Sequence, residues 1–212
     1  YRENIAEAQT EIGEGAPAVN KLRMAFNHPL YIEASVDRVR DAVNQITESR
    51  RDSIRFVFPA HSIPMSMAEG CKYSTQLTEA CRLIMEGIGE HPWDLVYQSR
   101  SGPPMQPWLD PDVCDHLRTI KETDDVNEVV IMPVGFVSDH MEVLFDLDTE
   151  AKEVCDELGI EMARAKSVGV HPSFIKMIRE LILERTTGTE KRAIGTMPAN
   201  WDVCPKDCCT YD

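Results

Sequence analysis

Residues 133–150, "PVGFVSDHMEVLFDLDTE", carry an apolar run into an amphipathic one with only a few residues between them. The run "EVVIMPV" (128–134) has the β-branched, apolar make-up of a buried strand and stops at Gly135. From residue 140 the apolar positions fall three and four apart, which predicts a helix over 140–157. On that helix Glu142, Asp146 and Glu150 recur at four-residue intervals and share a face, while Met141, Val143, Leu144 and Leu147 occupy the faces beside it. A strand that feeds directly into such a helix is half of a βαβ unit.

The same rhythm extends both ways along the chain. Strands are predicted at 19–26, 54–60, 94–99 and 128–134, with a weaker fifth at 160–165, and helices at 33–50, 73–89, 110–122, 140–157 and 172–186. Asp110-Pro111 and Pro172-Ser173 read as helix starts, where the missing proline N–H costs nothing. Alternation of this kind implies an α/β fold: a Rossmann-like, mainly parallel sheet with helices on both faces and right-handed crossovers. Ligands of such sheets bind beyond the carboxyl ends of the strands. The unusual segments do follow strands: "PAHSIPMS" (59–66), "QSRSGPPMQPWLDP" (98–111) and "GFVSDHMEV" (135–143). Beyond residue 186 the periodicity ends, and 187–212 reads as an appendage that needs a staple.

Composition narrows the function. The chain has 212 residues, 42% hydrophobic and 27% charged, enough for a sizeable core. A formal charge of −14 with no basic stretch argues against nucleic acid or an anionic membrane as partner. No apolar run reaches the ~18 residues of a membrane span, and "YRENIAEAQTEIGEG" lacks the order of a signal peptide, so a soluble, cytoplasmic chain is expected. Of the seven cysteines, Cys81, Cys114 and Cys155 sit in helical patterns as small buried residues, while Cys204, Cys208 and Cys209 crowd the last nine positions. An odd count without an export signal favours thiols or metal ligands over disulfides.

Three constellations carry chemistry. His61 closes an apolar strand; its imidazole can move protons near neutral pH or ligate a divalent metal, although a hydrogen-bonded structural histidine is the commoner outcome. The row Glu142, Asp146, Glu150 is either a solvated surface or a track that a cation or proton follows, since like charges one turn apart ask for a counter-charge. The proline-braced loop with Trp108 suits stacking on a flat ring or plain hydrophobic plugging. Three thiols in "CPKDCC" are a sign of Zn²⁺ or an Fe–S cluster whose remaining ligand lies elsewhere.

Taken together, "AHSIPMS", "YQSRSGPPMQPWLDPDV" and "PVGFVSDHMEVLFDLDTE", in that order at strand ends, resemble the motifs of the ferrochelatase family over residues 1–186. The resemblance implies one Rossmann-like lobe with a connecting helix, the carboxyl-terminal part of a two-lobed enzyme, followed by the cysteine-rich tail 187–212. Most of the partner lobe would lie upstream of Tyr1, and the isolated 212 residues would then be inactive. It implies insertion of Fe²⁺ into a porphyrin in haem biosynthesis, with His61 at the porphyrin centre as base or metal ligand and Glu142 beside it. Asp139 and His140 become orienting groups, Asp146 and Glu150 the outward path for iron or protons, and Ser99, Trp108 and His140 the porphyrin pocket. The actinobacterial-type tail and the acidic chain favour coproporphyrin III over protoporphyrin IX. A [2Fe-2S] cluster on Cys204, Cys208 and Cys209 is implied, although the Cys-x3-Cys-Cys spacing is tighter than the family pattern. Its fourth ligand falls before Tyr1, with Cys71 as a substitute. The alternatives are a cobalt chelatase of corrin synthesis and a non-catalytic haem or cluster sensor on the same scaffold.

Overall fold

The computed structural model describes residues 2–103, 105–205, 208 and 209. In chain order it comprises α1 (Arg2–Ile12), α2 (Pro29–Val43), a 3-10 turn (Glu48–Ser53), β1 (Arg55–His61), α3 (Met65–Glu69), α4 (Tyr73–Ile88) and β2 (Trp93–Gln98). There follow α5 (Val113–Asp124), β3 (Glu128–Ile131), α6 (Met141–Phe145), a π-helical segment (Asp146–Ala151), α7 (Lys152–Leu158), β4 (Glu161–Arg164) and α8 (Pro172–Thr187). The strands form one parallel sheet in the order β2-β1-β3-β4.

The strand sequences decide which helix covers which face. In β1, Phe56, Phe58 and Ala60 point into a core shared with Val39 of α2, Cys81 and Ile84 of α4 and Leu181 of α8. Val57, between them, points the other way, to Leu117 of α5, Val143 of α6 and Cys155 of α7. β3 repeats the two-residue period, with Val130 on the first face and Val129 and Ile131 on the second.

This split has a topological consequence. The chain leaves β1 for β2 on one side through α4, and later returns past β1 to β3 and β4 through helices on the opposite face. Right-handed crossovers demand that change of face when the direction of travel reverses. The connections leaving β1 and β3 therefore diverge, and the crevice between those two carboxyl ends is the switch point where doubly wound sheets bind ligands.

Several expectations change. Residues 19–26 form no strand: Leu22 and Met24 are exposed, no described strand pairs with them, and the segment is held through buried Arg23, which donates to Glu184 at 2.7 and 2.9 Å. The run 33–50 is a helix only over Pro29–Val43, entered through an N-cap at His28. Asp110-Pro111 does not open a helix; the bond is cis, and α5 begins two residues later with Asp112 as its cap, accepting from the Cys114 amide at 2.8 Å. The predicted single helix at 140–157 is α6, a π segment and α7 in series. α1 was not expected, because "RENIAEAQTEI" buries no residue.

The tail is stapled by hydrogen bonds and ion pairs to the body. Ile194 donates its amide to Asn27 O at 3.0 Å, Thr196 donates twice to Glu79, at 2.7 and 3.0 Å, and Asp202 lies 3.8 Å from Arg185 of α8. Residues 210–212 lie outside the described residues.

Candidate functional site

The crevice between β1 and β3 is built by close backbone approach. A Cβ at Gly135 would lie 3.0 Å from Ala60 Cβ and 3.1 Å from Ala60 Cα, so the loop leaving β3 reaches the end of β1 only with glycine there. That contact brings the loop against His61, the last residue of β1, and lets α6 start beside it.

At the crevice His61 Nε2 lies 3.9 Å from Glu142 Oε2, and both side chains are partly open to solvent. The other imidazole nitrogen, Nδ1, is 2.5 Å from the Ser62 carbonyl oxygen. A carbonyl only accepts, so Nδ1 carries a proton, and Nε2 faces Glu142 and the open crevice. The His61 carbonyl is itself fixed by the Tyr73 hydroxyl at 3.0 Å. Phe136 sits 6.4 Å from the His61 ring and 5.1 Å, edge-on, from His140, which begins α6 without making a side-chain cap.

Asp146 is held at the end of β2. Its Oδ2 accepts from Gln98 Nε2 at 2.9 Å and from the Ser99 hydroxyl. Ser99 adopts a left-handed backbone, φ 60°, that turns its hydroxyl toward the acid. Further along, burial first, and then the charges of Asp146, Asp112 and Glu153, raise the pKa of Glu150. Asp112 is raised in the same way, by burial ahead of Asp115 and Asp146.

The π segment explains why these acids stay in line. In a 3.6-residue helix a four-residue spacing drifts by roughly 40° per step. The wider i→i+5 turn over Asp146–Ala151 takes back part of that drift. The buried column Val143, Leu147, Ala151, Cys155 keeps the same four-residue spacing, each 0% exposed, so acids and core stay on separate faces throughout.

The remaining candidates fall elsewhere. Asp139 is an anchor, accepting from Arg164 Nη1 at 3.0 Å and from the Ser167 amide at 3.1 Å. Trp108 is 9% exposed, and a Cβ at Gly102 would come within 2.3 Å of its indole nitrogen; the ring braces the loop after β2 against Gly102, and its backbone bridges to Pro64. Cys204, Cys208 and Cys209 line a cleft of 540 Å³ together with Cys71 and residues of α1. Arg2 Nη1 donates to the Cys204 carbonyl at 2.9 Å. Soft donors side by side suit iron chemically, yet among the described residues no three His, Cys, Asp or Glu side chains converge to hold a metal ion.

Two groups were missed from sequence. Gln98 is 1% exposed and clamps Asp146; its signal was the alternation of "DLVYQS", which puts residue 98 on the buried face with Val96. Asp112 was hidden by reading Asp110-Pro111 as the helix start.

Among the described residues no helix is long and apolar enough to cross a membrane. A family model described as Ferrochelatase matches residues 1–186. The ferrochelatase of Rhodopirellula baltica is 53% identical over 212 residues, which is 100% of this chain and 60% of that protein. The coproporphyrin III ferrochelatases of Streptomyces coelicolor and Nocardia farcinica are 42% and 43% identical; the alignments cover 99% of this chain and 62% and 63% of theirs. The chain thus spans about three fifths of the length of these curated relatives.

Proposed function

The chain belongs to the ferrochelatase family, and from that premise we propose that the whole protein inserts Fe²⁺ into a porphyrin, with the crevice between β1 and β3 as the metallation centre. The observation that carries this reading is the 3.9 Å approach of His61 Nε2 to Glu142 Oε2 at the switch point of the sheet. Metallation requires removing two pyrrole protons and stripping water from the ion. His61, with Nδ1 committed to the Ser62 carbonyl, offers Nε2 as the acceptor of one pyrrole proton or as a transient ligand, one role at a time. Glu142 then stabilises the imidazolium or receives the second proton.

Asp146 and Glu150 lead away from that pair. Oxygen donors hold Fe²⁺ only moderately, so a row of them hands the ion forward without trapping it, and the four nitrogens of the macrocycle supply the final, tight site. Ser99 and Gln98 orient Asp146, His140 and Phe136 line the wall beside His61, and Trp108 keeps the loop after β2 in place.

Coproporphyrin III is the favoured porphyrin, on the acidity of the chain and on the names of the Streptomyces and Nocardia relatives. The decisive experiment assays the full-length protein with coproporphyrin III and protoporphyrin IX under anaerobic Fe²⁺. Faster turnover of the tetracarboxylate is expected, and equal turnover removes the preference. His61→Ala should abolish metallation; retained turnover would overturn the site.

The [2Fe-2S] reading rests on the donor chemistry of Cys204, Cys208 and Cys209, with a fourth ligand ahead of Tyr1 or, in its place, Cys71. A bound cluster would cross-link the tail, and the metallation itself transfers no net electrons. Iron and sulfide analysis of anaerobically purified full-length protein tests it, and colourless, iron-free protein would end it.

A further inference from the structure

Two helices of the lobe start with the same dipeptide, His28-Pro29 for α2 and His171-Pro172 for α8. In both, the histidine is the N-cap. Nδ1 of His28 accepts from the Leu30 amide at 3.2 Å, and Nδ1 of His171 accepts from the Ser173 amide at 3.2 Å. Each ring then turns its far nitrogen to the other helix: His28 Nε2 lies 3.3 Å from Glu180 of α8, and His171 Nε2 lies 3.5 Å from Asp37 of α2.

We propose that these reciprocal contacts form a clasp between α2 and α8 whose acid sensitivity lies at His28, closed only while that imidazole keeps Nδ1 unprotonated. The reason is valence. A neutral ring with its proton on Nε2 accepts the helix amide through Nδ1 and sets that N–H beside the carboxylate, within 3.3 Å at His28 and 3.5 Å at His171 but without the alignment of a hydrogen bond. An imidazolium has a donor at each nitrogen, and the amide it capped is left facing an N–H.

His28 is the sensitive half, with a fully buried side chain. Glu180 and Glu184 face it from α8, Arg23 from the segment before α2, and Arg192 from the tail. Burial, ahead of the attraction of Glu180 and the repulsion of Arg23 and Arg192, lowers its pKa. His171 is partly open and faces Asp37, while Glu33 of α2 accepts from the neighbouring Ser173 hydroxyl at 2.6 Å.

The clasp joins four segments. Glu180 also takes Arg192 of the tail at 2.7 Å, and Asn27, next to His28, holds the tail through Ile194 and Met197. Tyr31 of α2 packs edge-on against Phe174 of α8 and donates to Val134 O at 2.8 Å, beside the glycine that approaches β1. Opening the clasp would loosen the cysteine-bearing tail and the loop behind the crevice together.

The sign follows from linkage. The folded state holds His28 neutral below the unfolded value of about 6.5, so its stabilisation is complete above that pH and is lost as pH falls from there toward the folded pKa. One proton of difference raises the unfolding constant by up to about tenfold per pH unit.

The test uses urea unfolding of the full-length protein at pH 7.5, 6.5 and 5.5. Asparagine caps a helix as well as any residue but does not titrate and does not reach Glu180, so His28→Asn should be less stable than wild type at pH 7.5 and flatten the loss below pH 6.5. A variant with the wild-type pH slope would overturn the proposal. Should the variant not fold, nitrogen NMR of wild-type histidines decides. Unprotonated Nδ1 on His28 and His171 at pH 7.5 is expected, with faster exchange of the Ile194 amide as His28 ionises. An N–H on Nδ1 at pH 7.5, or ionisation without local opening, would sink the clasp.

Discussion

Two rows of acids in this chain have the same spacing and different surroundings. Glu3, Glu7 and Glu11 stand four apart on α1, as Glu142, Asp146 and Glu150 do on the helix after β3. Along α1 the carboxylates are exposed, make no hydrogen bond or ion pair among the described residues, and face no strand end. Along the second helix, the first acid sits 3.9 Å from His61, the next is clamped by Gln98 and Ser99, and the last has a raised pKa. Spacing therefore says where carboxylates share a face; the sheet behind them says whether that face has work to do.

The largest effect that would break this contrast is at the inner end of the second row. Glu142→Gln in the full-length protein should lower kcat/KM for metallation by about 10²- to 10⁴-fold, read by loss of porphyrin fluorescence. Asp146→Asn should cost less, about tenfold, and chiefly in the KM for iron, because Gln98 and Ser99 still hold the amide in place. If it matched Glu142→Gln with iron KM unchanged, the path reading would fail.

Next comes pH. Burial and the neighbouring Asp146 and Asp112 keep Glu150 protonated to higher pH than an ordinary carboxylate. A folded pKa above the unfolded one means that this group's contribution to stability is present in acid and lost as pH rises through the folded value. Glu150→Gln, neutral at every pH, should therefore melt slightly higher than wild type at pH 7.5 and lose that advantage by pH 4. Differential scanning calorimetry at the two pH values checks it, and a lower Tm at pH 7.5 would contradict the burial argument. Smallest of all, changing Glu3, Glu7 and Glu11 together to Gln should leave kcat/KM within about twofold, as for surface substitutions away from special features. A loss approaching that of Glu142→Gln would erase the distinction between the rows.

Much of the fold was legible because burial imposes period. The runs around Phe56, Val96, Val130 and Ala163 became strands, and the helices of the second half fell close to their predicted ranges. Residues 19–26 misled because their apolar members, Leu22 and Met24, are exposed in an extended segment that no described strand pairs with. α1 was illegible for the opposite reason: a helix that buries nothing leaves no apolar stripe.

At the site, His61 and the acids were readable from their place after strands. Gln98 and Asp112 were not, since an amide and a cap acquire meaning only from what the fold sets opposite them. The π segment was equally hidden, because a run of apolar residues four apart fits a slightly irregular α-helix almost as well.

That segment makes the chain unusually tolerant of one kind of genetic change. A wide turn stores one residue more than an ordinary turn of the same rise. Losing a single codon between 146 and 151 would let it close to a regular turn, whereas the same loss in a regular helix swivels everything downstream by roughly 100° about the axis. Val154 and Cys155 would therefore keep the face they bury. In-frame deletions there should be forgiven far more readily than in the regular helices of the chain.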